Sequence, residues 1–478
     1  MNTKGMFLLD KKLRFILITF LLGVFLGALD SGIVSPALTT LIEDLGIDLK
    51  WTVWVVTIYT LVYAVSMPIV GKLADLFGRK RIFLTGITLF AIGSVIAGFS
   101  QSLSFLLVGR AVQALGGGGI IPIANAVIGS SFPKEKRGMA LGFVGAMFGI
   151  ATILGPNVGG FFVAQFSWRW IFFINVPIAL IIIIMGLKLP DDRKETKKPS
   201  LDWGGAGVLS FVIISLLLGL TNLDTNEFAQ SIQSLMVWPL LLISVVFIYP
   251  LIRVEKSAKD PILKLSYFKD RNIVLALLIS MITGIGIISM IFVPSFSEII
   301  LLLSRGQGGY VMTILALASG FAAPIGGVLL DKWGAKQVVL LGFSLSLLGS
   351  LSFVYLADGW ITLSLGMILS GIGIGFTMGT PLNYIILELT PDHEAGSSLS
   401  LVSLFRSVGT SLGPVILAGF IAMSGATFSG SKMSEAIRDA ILSGYQHMYL
   451  AASVIFLIGL ILGVFLKMPP KSSKVHSS

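Results

Sequence analysis

Apolar runs of twenty or so residues follow one another along almost the whole of this chain. Coiled as a helix, each run is long enough to cross a ~30 Å hydrocarbon core. A segment inside that core must bond its own backbone polar groups, which an α-helix does. Hydrophobic residues make up 55% of the 478 residues and charged residues only 12%, half the ~25% of soluble domains. That balance excludes a soluble enzyme, a disordered chain and a secreted disulfide scaffold. The expected class is an all-α integral membrane protein. Fourteen spans fit, at roughly 13–38, 50–70, 81–99, 105–129, 139–163, 168–188, 203–221, 235–253, 273–298, 309–330, 337–356, 360–386, 398–424 and 445–466. The first run is too long, and lacks a small-residue cleavage site, for a removable signal peptide. Cysteine is absent and His393, His447 and His476 lie far apart, so no metal and no cofactor is expected.

With fourteen spans, alternate connections share a side. One side then holds both termini and 27 of the 34 Lys and Arg residues; Lys50, Arg169, Arg305, Lys432 and Arg438 fall on the other, and Arg110 and Arg406 remain inside spans. The positive-inside rule places the basic side, with both termini, in the cytoplasm, and the membrane is read as the plasma membrane of a bacterium. The net charge of +10 is thereby topological, and no nucleic-acid partner is expected.

The chain also repeats itself. GKLADLFGRKR (Gly71 to Arg81) follows span 2 and GVLLDKWGAKQ (Gly327 to Gln337) follows span 10, setting Asp331 against Asp75 at an offset of 256. Pro133 and Gly138 before span 5 match Pro391 and Gly396 before span 13, and Gly155-Pro156 matches Gly413-Pro414, both at 258. The repeated unit is six helices. Residues 1–188 form an N-terminal six-helix bundle, 189–272 a linker with two extra spans, and 273–478 a C-terminal bundle with a short tail. Both copies start from the same side, which makes a parallel repeat around a midplane cavity.

These residues resemble the major facilitator superfamily, in particular its fourteen-span drug:proton antiporter branch, over nearly the whole chain. Gly71, Leu73, Asp75, Gly78, Arg79 and Lys80 match the superfamily signature G-x-L-a-D-r-x-G-r-k. Gly142 and ATILGPNVGG (Ala151 to Gly160) are similar to the antiporter signature, with Ala151 in place of a glycine. WRWIFFINVPI (Trp168 to Ile178), and Trp54 with Tyr59, look like marks of the fourteen-span branch. LDSGIVSPAL (Leu29 to Leu38) is similar to the branch's first-span motif and keeps its carboxylate, while Gly32, Ser35 and Thr39 depart from it. The resemblance implies the major facilitator fold, proton antiport by alternating access and a monomer. It also implies that Gly71, Asp75, Gly78 and Arg79 form a latch between bundles. A hinge in span 5 is implied at Gly142, Gly155, Pro156, Gly159 and Gly160, which small-residue packing alone also explains.

Asp30 is the only acid well inside a span, and an intramembrane carboxylate is a functional candidate by its cost alone. Counting from the span ends at ~1.5 Å per residue, Asp30 and Arg110 reach the same depth, so they are expected to be neighbours. Burial disfavours the carboxylate charge and Arg110 favours it, so a small movement would switch its protonation. A static pair fixing span 1 against span 4 is the plainer alternative. Arg406, near mid-depth, is a candidate to reach Asp30 or an anionic group from the other half, or to snorkel. Tyr59, Tyr63, Gln113, Asn125, Asn157, Met378 and Asn383 are candidates to line a mainly apolar cavity. The glycine runs at 116–119 and 371–375 lie in apolar spans with no following Lys-Ser/Thr, so no nucleotide loop is read there. An ion gradient must then supply the energy. The expected function is proton-driven export of lipophilic, cationic small molecules, with export or flipping of an amphipathic lipid as the alternative.

Overall fold

The computed structural model describes residues 10–47, 49–190, 201–224, 228–300, 307–356, 359–378, 380–422 and 435–467. Among them are fourteen helices long and apolar enough to span a membrane. They are α1 (Lys11–Leu45), α2 (Trp51–Phe77), α3 (Arg79–Gly98), α4 (Leu103–Ser131), α5 (Lys134–Gln165), α6 (Trp170–Leu187) and α7 (Trp203–Thr221). The rest are α8 (Trp238–Ser257), α9 (Arg271–Ile299), α10 (Val311–Trp333), α11 (Ala335–Tyr355), α12 (Trp360–Leu389), α13 (Asp392–Ala422) and α14 (Arg438–Val464). The basic stretch at 191–200 and the tail from 468 lie outside the described residues.

One end differs from the expectation. The first span was read to end near 38, but helical structure continues to Leu45 after a short 3-10 turn at Ser35–Ala37. The extension carries Asp44, which accepts bonds from Trp168 Nε1 and Arg169 Nη1, both at 2.8 Å. A charged anchor at the membrane boundary holds it in place.

The duplication runs deeper than the three sequence landmarks. Gly78 and Gly334, 256 residues apart, both sit at φ +96° as the chain turns from α2 into α3 and from α10 into α11. A side chain at that φ is strained, so glycine is the residue for both turns. The helix pairs that follow match too. In α3–α4 a Cβ added at Gly93 would overlap the backbone of Gln113, and in α11–α12 one added at Gly349 would overlap Ser370. Without a hydrophobic force between helices in lipid, backbones held close by small residues supply the attraction. Gly93→Leu and Gly349→Leu are each expected to cost at least ~1–3 kcal/mol through overpacking. Gly207, on the outside of α7 with nothing within 4 Å, should accept leucine without loss. Thermal unfolding in detergent checks all three; equal midpoints would refute the packing account.

Across the two halves, α5 packs along α10 and α13 along α2, a pair of equivalent interfaces. The inserted α7 and α8 pack on each other, and α7 covers the α2–α13 seam. α8 turns an apolar face, including Leu242, Val245 and Val246, outward, as a lipid-facing helix must.

Candidate functional site

Asp30 and Arg110 are both buried, with Arg110 Nη1 2.6 Å from Asp30 Oδ2. Gln113 Nε2 donates to Asp30 Oδ1 at 3.0 Å and Asn175 Nδ2 donates to the same oxygen at 3.1 Å. Ser94 Oγ accepts from Gln113 at 2.7 Å and from Asn175 at 3.4 Å. Arg110 also donates to Gln113 Oε1 at 2.8 Å and to the Val55 carbonyl at 3.3 Å. Four helices, α1, α3, α4 and α6, thus build one cage whose groups facing Asp30 are all donors. Such a cage fits an ionised carboxylate. A protonated one must donate, so a bond in the cage would have to rearrange. Asn175 Oδ1, buried and without a hydrogen-bond partner, is the acceptor standing by.

The cage is linked to a second site. The Arg110 guanidinium lies 4.0 Å from the centroid of Tyr59, within cation–π distance. Tyr59 stacks on Tyr63, with centroids 5.6 Å apart. Tyr63 in turn lines a cavity of about 230 Å³ between the halves. The walls come from α2, α4 and α5 on one side and α9, α12 and α13 on the other. Met67, Val144, Phe148 and Ile287 are apolar; Asn125, Asn383 and Arg406 are the larger polar groups.

Of the cavity candidates, Tyr63, Asn125, Met378 and Asn383 are in the lining and the other three are not. Gln113 is turned into the Asp30 cage, because it lies one helical turn from Arg110. Tyr59 sits between cage and cavity, and Asn157 is exposed on the C-terminal half of α5. Arg406 lines the cavity and does not reach Asp30, whose partners all belong to the first half. Ser94 and Asn175 were not anticipated. Asn175 stands inside the quoted WRWIFFINVPI run, so the motif carried the signal without the role.

The glycines of span 5 pack against neighbouring helices. α5 is continuous through Gly155-Pro156. Its glycines serve two neighbours: added Cβ atoms at Gly138 and Gly142 would strike α10, while those at Gly155 and Gly159 would strike α1 between Leu29 and Ile33, beside Asp30. A Cβ added at Gly160 would meet nothing within 4 Å.

The basic face is bonded shut across the halves. Asp75 accepts from the N–H groups of Gly396 (2.9 Å) and Ser397 (2.7 Å) and from Ser397 Oγ (2.7 Å). Those amides open α13 and would otherwise lack partners. Asp331 reaches the matching place on α5, accepting from Gly138 and Met139, both at 2.9 Å, although these amides lie a turn inside a helix that begins at Lys134. The repeated landmarks are therefore each other's partners. Gly71 lies where α2 meets Gly396 and Ser400, too close for any Cβ. Arg79 lies 3.8 Å from Asp75 and donates to the Asp392 carbonyl and, at 3.0 Å, to Ser130 Oγ. Glu388 pairs with Arg137 at 3.1 Å and Lys134 at 3.4 Å. Next to these bonds, Lys264 and Tyr267 bond Glu394. Burial, and then the Glu394 carboxylate, push the Tyr267 hydroxyl above its ordinary pKa, so it remains a donor.

Known proteins agree with this architecture. The family model described as Major Facilitator Superfamily matches residues 20–414 and 274–478. The chain is 36% identical to the uncharacterized MFS-type transporter YfiU of Bacillus subtilis, over 94% of this chain and 96% of that one. It is 32% identical to Multidrug resistance protein 3 of the same organism, over 84% and 78%. In structure it is similar to the human organic anion transporter MFSD10, with a TM-score of 0.69 and 15% identity over 95% of this chain and 100% of that one. A full-length family match, fourteen spanning helices and a cavity between two repeated halves lead to one assignment: the chain belongs to the major facilitator superfamily and is a membrane transporter, not an enzyme.

Proposed function

We propose that the chain is a proton-driven antiporter that exports lipophilic small molecules by alternating access, one face opening as the other closes. The observation that carries this reading is Asp30, fully buried in a cage of donors and joined to the central cavity through Arg110, Tyr59 and Tyr63. Taking up a proton breaks the match between Asp30 and its donors. The released Arg110 then disturbs the tyrosine stack that walls the cavity. The relative named for multidrug resistance supports export of drugs, and the mainly apolar lining of the cavity supports lipophilic ones. A preference for cations draws no support from the lining, whose charged group is an arginine, so the reading stops at lipophilic molecules. In liposomes with an imposed pH gradient, purified protein should concentrate a lipophilic dye at the expense of that gradient. Dye flux indifferent to the gradient would overturn the proton coupling.

The same reading puts the latch face and both termini in the cytoplasm. Ser257, exposed at the end of α8, and Ser104, exposed at the start of α4, are sites for single cysteines in this cysteine-free chain. An impermeant thiol reagent outside intact cells should label Ser104→Cys and spare Ser257→Cys. The reverse pattern would invert the topology.

A further inference from the structure

The membrane interior of this chain holds two arginines, and they are treated differently. Arg110 is neutralised by Asp30 at 2.6 Å. Arg406 is not neutralised: among the described residues no carboxylate lies within ion-pair distance of it and no acceptor takes a hydrogen bond from it. It cannot reach water by extending along its own helix. It lies eleven residues past Ala395, where the helix begins, or roughly 16 Å at 1.5 Å per residue. That is about half of a ~30 Å core. A cation left unpaired in such a place is costly, and intramembrane arginines as a rule pair or line a functional cavity. Here the cavity is present. Arg406, Ser403, Ser407 and Thr410 face it from α13, and no acidic residue is in its lining.

A second element adds to the positive field. α12 is interrupted at Met378 (φ −76°, ψ 95°), and a new helix runs Thr380–Leu389. Met378 before the break and Asn383 in the first turn after it both line the cavity, so the positive end of that half-helix lies beside it. The hydroxyl of Thr380, the first residue of that half-helix, is buried without a hydrogen-bond partner and is free to donate; Asn125 Oδ1, also unpartnered, is an acceptor and adds nothing to the positive field.

Resting on the export reading above, we propose that the cavity binds a small amphipathic anion. Its carboxylate, sulfonate or phosphate group would sit on Arg406 and its apolar body against Met67, Phe148 and Ile287. A planar guanidinium matches these oxyanions with two parallel bonds. The volume of about 230 Å³ holds a compact ring system and lies below the ~300–1,000 Å³ of drug-sized sites.

The test uses the full-length protein in detergent and three probes with one body: 2-naphthylacetate, its neutral amide, and the naphthylmethyl trimethylammonium cation. A fourth probe, palmitate, separates a single-chain lipid acid from a compact aromatic acid carrying the same group. The naphthyl acid should bind more tightly than the cation. Arg406→Gln should weaken the acid about 10- to 100-fold, the span of a charged hydrogen bond, and leave the amide within about twofold. Arg406→Lys should recover part of the lost affinity, which a misfolded variant would not. Arg406-dependent binding of either acid supports the site and tells which source it prefers. Equal affinity for cation and acid, or an Arg406→Gln protein that binds acid, amide and palmitate as before, overturns it. Binding is measured without a gradient, so it is independent of whether flux is proton-coupled.

Discussion

Asp30→Asn is expected to abolish gradient-driven transport while substrate still binds and exchanges down its own gradient. Asparagine keeps the size of aspartate and one acceptor oxygen for Arg110, Gln113 and Asn175, but it cannot ionise. Its amide also presents N–H groups to a cage already made of donors. Arg110 loses its counter-charge, and removing one partner of a buried pair costs about 3–5 kcal/mol, so thermal stability should fall as well. Loss of fold and loss of coupling therefore have to be told apart. Asp30→Glu does this, since it keeps an ionisable group in the cage and should retain part of the coupling. The direct measurement is proton release on adding substrate to purified protein. Release at the unaltered stoichiometry from the Asp30→Asn protein would mean that another group carries the proton and that Asp30 only fixes α1 against α4.

The pairing of Asp30 with Arg110 was legible in the sequence because depth is a one-dimensional quantity, counted from the helix ends. The rest of the cage was not. Ser94 and Asn175 are uncharged, such residues are common in spans, and which helices stand side by side is not written along the chain. Gln113 was legible in part: three residues from Arg110, it had to share that helix face, and the cage rather than the cavity lies there. Span 5 held a similar clue. Gly142 and Gly155 are thirteen residues apart, about 220° around a helix of 3.6 residues per turn, so they could not face one neighbour. The fourteen spans were clear because lipid enforces length and composition together. The contact between Asp75 and Gly396 was half visible. Both had been matched to their repeats, but the matches did not reveal that the repeats grip one another.

That grip makes the latch testable by symmetry. Asp75 takes three hydrogen bonds from the start of α13 and Asp331 takes two from α5. Asn at either position removes one acceptor oxygen and the charge that favours a helix N-terminus. A charge-assisted bond contributes about 1.5–3 kcal/mol, so either variant should move the closed-to-open ratio of this face about 10- to 100-fold towards open. Asp75→Asn also deprives Arg79 of its charged neighbour. If the two carboxylates hold one closure, Asp75→Asn with Asp331→Asn should shift it by the product of the single effects, because their hydrogen bonds lie on separate helix pairs, α2 with α13 and α10 with α5. Ligand affinity should change much less than flux, because neither residue lines the cavity and a latch acts on the equilibrium between states. Distance distributions between spin labels on the two halves at this face, recorded for the unaltered protein and the three variants, read the populations directly. Unchanged distributions, or affinity falling in step with flux, would mean that these bonds hold helices together in both states and set no equilibrium between them.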